Sequence, residues 1–176
     1  MVNLPPKSVL EDTIKNLRSN GGGSAQFEIR ARLVDGLKTE VKVGNHTVYI
    51  DGPAALGGAD TAPRPGAYTL VALAGCITFM FAWHASLNDI PIDSLTITIR
   101  GNHDLLPMFD PETGWPGFKD VEVEVEVSTP RPEDLSKLLN VIRAGAPILQ
   151  TFVKPIPVKF RVNINERRVR DEVVMV

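Results

Sequence analysis

Pro63-Arg64-Pro65-Gly66-Ala67-Tyr68-Thr69-Leu70-Val71-Ala72-Leu73-Ala74-Gly75-Cys76 opens a segment that after Arg64 carries no formal charge, His84 aside, until Asp89. Proline is tolerated in the first turn of a helix, and the residue before a proline is pushed out of the helical region. The stretch therefore predicts one long helix starting at Pro65 or Gly66 and ending near Asn88-Asp89, ahead of Pro91. Residues 65 to 88 make 24 positions, enough to span a hydrocarbon core of ~30 Å. Against a membrane span stand Gly66, Thr69, Gly75, Thr78, His84, Ser86 and Asn88, together with amphipathic strands on either side that need a core to face. A helix apolar all round supplies that core.

Upstream of the helix the period is two. Phe27, Ile29, Ala31 and Leu33 alternate with Glu28, Arg30 and Arg32, which predicts a half-buried strand from about Ala25. Asp35-Gly36 is a turn signal, Leu37 to Val43 a returning strand, Gly44-Asn45 a second turn and His46 to Ile50 a third strand. Asp51 to Pro65 is a loop. Downstream, Leu95, Ile97 and Ile99 mark a strand, His103 to Phe118 a loop, and Val121 to Val127 a strand with valine on one face and glutamate on the other. A helix starting around Thr129 to Asp134 presents Leu135, Leu138, Leu139 and Ile142 on one side. A turn at Pro147 to Val153 leads to a final strand through Ile156, Val158, Phe160, Val162 and Ile164.

The order βββαββαβ is α+β, with antiparallel sheets packed around the long central helix. Residues 1–24 form an N-terminal appendage: a helix from Ser8 to Ser19, with Ser8 as its N-cap, and a Gly21-Gly22-Gly23-Ser24 linker. It docks on the body or on a second subunit. Residues 25–164 are the main domain, and 165–176 a charged C-terminal tail. One copy offers too little cover for a helix apolar on every side, so a homodimer is expected, with this helix at its centre.

Nineteen basic and 21 acidic residues balance to a formal charge of −2, which gives no sign of nucleic acid or an anionic membrane as partner. A lone cysteine makes no internal disulfide, and the N-terminal residues lack the pattern of a signal peptide, so a reducing cytoplasm is expected. Cys76 admits two readings, a reactive thiol or a small core residue. It stands eleven residues after Pro65, about three turns into the helix and beyond the reach of the N-terminal dipole. An activating cation must therefore come from elsewhere in the fold. His46, His84 and His103 lack ligand spacing, so no metal is expected, nor any cofactor. His84 follows Cys76 by eight residues, about 12 Å along one helix, and is expected at its wet end beside Trp83. Asp60, Asp104, Asp110 and Glu112 fit loop capping and solubility.

Leu56-Gly57-Gly58-Ala59-Asp60, Pro63-Arg64-Pro65 and Leu73-Ala74-Gly75-Cys76, followed by Pro116-Gly117-Phe118 and by Ala146-Pro147-Ile148-Leu149-Gln150-Thr151, resemble the OsmC/Ohr family over roughly Ala25 to Ile164. The resemblance implies an intertwined α+β homodimer with sites at the subunit interface. It also implies a thiol-dependent organic hydroperoxide reductase in which Cys76 attacks the peroxide and Arg30 or Arg32 activates it. Two further parts of the family's machinery do not carry over. The resolving cysteine falls at Ala146, and the helix-start glutamate falls near Ala67. The expected partners are a small-molecule hydroperoxide and an external thiol reductant. The alternative is a non-enzymatic dimer that binds an apolar small molecule at the interface.

Overall fold

The computed structural model describes residues 1–165 and 167–174. The charge-free stretch is α2, Pro65–Leu87, with a proline in its first turn and Asn88 at its end. Leu73, Ile77, Phe81 and Ala85, spaced by four, form its buried stripe. They make the core with Ile90, Ile92, Leu138, Ile142 and Ala146. By length and composition α2 could cross a bilayer; it packs here on α1 (Lys7–Ser19), β4 (Ser94–His103), α4 (Leu135–Gly145) and α5 (Pro147–Val153).

β4 pairs antiparallel with β5 (Phe118–Ser128), Leu95 opposite Val127 and Ile99 opposite Val123. The Leu/Ile/Val face of this ribbon packs on the core, while Arg100 on the other face bonds Glu124 at 2.8 Å. A separate three-stranded sheet is formed by β1 (Ile29–Asp35), β2 (Lys38–Val43) and β3 (His46–Ile50) in sequential order. β6 (Val158–Ile164) and β7 (Arg167–Val174) make a third, two-stranded unit.

Several sequence expectations change. β1 starts at Ile29 and all seven of its residues are exposed, because none of the described residues covers its apolar face. α1 starts at Lys7 after Pro6 and has no side-chain cap, so Ser8 does not cap it. Of the two dockings left open for this helix, the structure shows it on the body. Leu10 is buried, Ser86 Oγ donates to the Pro5 carbonyl at 2.6 Å, Val2 N–H donates to Ile92 at 2.7 Å, and Lys7 pairs with Asp89. Pro147 to Val153 is the helix α5 rather than a turn, with Pro147 at its start. The helix expected from Thr129 begins as a 3-10 turn at Pro132–Asp134 before α4. The 103–118 loop contains a short helix α3 (Leu106–Phe109) and a 3-10 turn at Pro111–Thr113. Residues 167–174, expected in a tail, pair with β6 instead; Glu166 lies outside the described residues.

Candidate functional site

Cys76 sits at the edge of the buried stripe of α2, between Leu73 and Ile77 on one side and the exposed Gly75 and Phe79 on the other. Its side chain is half-buried and packs against the core cluster. Ala146 belongs to that cluster and is fully buried where α4 gives way to α5. The first turn of α2 holds no acidic residue, and Ala67 occupies its third position. The thiol thus has neither a second sulfur at residue 146 nor a carboxylate on its own helix start.

Arg30 and Arg32, two apart on β1, share one face of the sheet and are both exposed. Arg30 Nε bonds Glu28 Oε1 at 2.7 Å, and Arg32 Nη2 lies 3.5 Å from Glu40 Oε1. β1 packs on β2 and is not among the elements packed closely on α2, so the fold of this chain does not bring either guanidinium to the thiol. His84 is half-buried towards the C-terminal end of α2, and desolvation pushes its imidazole below the ordinary histidine range. Among the described residues no three of His, Cys, Asp and Glu converge as a metal site would need. Asp104, one of the loop carboxylates, accepts the Leu106 N–H at 3.1 Å.

The sequence reading missed Asp51. This carboxylate is buried at the end of β3. Its Oδ2 accepts the Thr61 N–H at 3.0 Å and the Thr61 hydroxyl at 2.8 Å, and its Oδ1 accepts the Gly52 N–H at 2.8 Å. These bonds, Thr61 first, hold its pKa below the usual carboxylate range. They close the 51–63 loop so tightly that a Cβ at Gly58 would collide with the Gly52 carbonyl. Tyr68 Oη donates to the Tyr49 carbonyl at 2.8 Å, tying the start of α2 to β3. A buried aspartate is indistinguishable by spacing from an exposed neighbour such as Asp60, so only the Asp51-Gly52-Pro53 turn chemistry hinted at it.

Residues 57–161, from the glycine loop through Cys76 and Ala146 into β6, match the family model described as OsmC-like protein. The chain belongs to the OsmC-like family. Three solved structures resemble this OsmC-like chain in fold. An OsmC-like protein from Mycoplasma pneumoniae is 17% identical with a TM-score of 0.64, over 74% of this chain and 89% of that one. An organic hydroperoxide resistance protein OsmC from Legionella pneumophila is 16% identical with a TM-score of 0.57, over 74% and 90%. An organic hydroperoxide resistance protein from Elizabethkingia anophelis is 19% identical with a TM-score of 0.53, over 73% and 89%. No curated protein matches the chain. The α+β OsmC-like fold expected from the sequence is thereby established, and α1 lies outside the matched segment.

Proposed function

We propose that this OsmC-like chain acts in the cytoplasm as a one-cysteine organic hydroperoxide reductase working through Cys76. The observation that supports this most is the place of Cys76. The only thiol of the chain lies inside the family-matched segment, at the edge of the buried stripe of α2 and not within it. In the step proposed, the Cys76 thiolate attacks one peroxide oxygen, the O–O bond breaks, and the other oxygen leaves as an alcohol after taking a proton. Sulfur is oxidised to sulfenic acid and the peroxide reduced. Ala146 offers no resolving thiol, so one external thiol condenses with the sulfenic acid, releasing water. A second thiol then frees Cys76 and leaves as a disulfide. The cycle uses sulfur alone and calls on no metal or cofactor, and neither nucleic acid nor membrane is a partner.

The cation that stabilises the thiolate is Arg30 or Arg32 from a second copy in a homodimer. The exposed apolar face of β1 and the exposed Val71 and Phe79 on α2 support this arrangement. A second reading is a non-enzymatic dimer that binds an apolar small molecule at the interface, favoured by Ala67 and Ala146 standing where catalytic partners are expected.

Stopped-flow oxidation of the reduced protein by cumene hydroperoxide, with a sulfenic-acid trap, separates the two. A rapid phase that disappears in Cys76→Ser is expected. Oxidation no faster than that of free cysteine would sink the reductase and leave the second reading.

A further inference from the structure

Between the inner face of β5, α2 and α5 lies a cavity of about 400 Å³, within the size range of small-molecule sites. Leu73, Val121, Val123, Leu149 and Phe152 form its walls, and Trp115 its lip. The indole lies against Gly117, where any Cβ would collide with it. Trp115 is nonetheless 66% exposed, so much of the ring is uncovered beside an apolar hollow. The charges at the mouth are already answered. Lys119 Nζ lies 3.4 Å from Asp104 Oδ2, and Asp120 Oδ1 accepts from Asn102 Nδ2 at 2.8 Å on the strand face opposite the valines. Lys119, the one cation among the described residues that line the cavity, thus already faces an acid, and the walls give a buried charge no partner.

We propose that this cavity is a binding site for an uncharged apolar small molecule, an alkyl chain or aromatic ring lying beneath Trp115. Cys76 is not among the residues that line this cavity, so the proposal stands whichever reading of that thiol holds.

Labelling with 5-fluorotryptophan gives one ¹⁹F resonance each for Trp83 and Trp115, and Trp115→Phe identifies the second. Titration with 1-decanol is expected to shift the Trp115 resonance saturably, with decanoate and decylamine at least about tenfold weaker because each must bury a charge. Val123→Phe, which fills the cavity, is expected to abolish the shift. Leu149→Phe, which fills the cavity from α5, is expected to reduce the shift markedly and serves if Val123→Phe does not fold. Decanoate or decylamine binding as tightly as decanol, an unmoved Trp115 resonance, or unchanged decanol binding in a folded Leu149→Phe variant overturns the proposal. An unchanged titration in a folded Val123→Phe variant does so too.

Discussion

Asp51 shows how much one buried carboxylate can organise. Its bonds to Thr61 and Gly52 hold the loop through which β3 hands the chain to α2. Asp51→Asn keeps the shape but turns an acceptor-only group into one with donors, so it is expected to lower the thermal midpoint at pH 7 by several degrees. The pH dependence has a defined sign. The folded pKa lies below the unfolded value of ~3.9, so the contribution of Asp51 is fully present above pH ~4 and lost as pH falls through the lowered folded value. Denaturation curves of wild type and Asp51→Asn should therefore differ most at neutral pH and converge in acid; a gap that stays constant from pH 7 to pH 3 would refute the assignment. Cys76 was legible in the sequence because it is the only thiol and closes a family motif. Asp51 was not, because what distinguishes it from Asp60 is burial, and burial is decided by Thr61 ten residues away.

Among the elements, α2 was read almost to the residue, since its bounds are set by Arg64-Pro65 and by Asn88 ahead of Pro91. α5 was not, because Pro147 suits a turn and a helix start equally well until Ile148, Leu149 and Phe152 find the core. β1 had the right period and the wrong environment: alternation tells which residues share a face, not whether anything lies against it. α1 is more than an appendage. Leu10 is 3% exposed, and Leu4 packs against the core cluster. Leu10→Ala is expected to cost about 2–4 kcal/mol in urea denaturation, the range for emptying a buried leucine site. A loss below about 0.5 kcal/mol, the scale of ordinary surface changes, would show that α1 is only loosely docked in solution.

Taken whole, the chain leaves much apolar surface in water. Val71 and Phe79 on α2 are 58% and 60% exposed, Leu33 on β1 67% and Phe160 on β6 53%. A two-stranded ribbon such as β6–β7 has little stability without further cover. A homodimer is the expected state in light scattering after size exclusion. Val71→Lys with Phe79→Lys is expected to shift it to monomer, or to insoluble material if the faces cannot stay bare; a soluble dimer of unchanged affinity would place the interface elsewhere. The need for cover was legible from a helix without a polar face. The surroundings of the arginines were not, because Arg30 and Arg32 are exposed on a sheet tied to α2 through the 51–63 loop and the Tyr68–Tyr49 bond.

The bond from Ser86 to Pro5 joins positions 81 residues apart, and that from Val2 to Ile92 reaches further still. On a ribosome, the first helix emerges with nothing to dock on until the whole of α2 and the turn through Ile92 have followed. Closing so long a loop carries an entropic penalty that grows with the logarithm of its length. The α1 segment is thus made well before its docking site and is among the last parts to find its place. During that wait Leu4 and Leu10 stay solvent-facing, available to a chaperone before the rest of the core has claimed them.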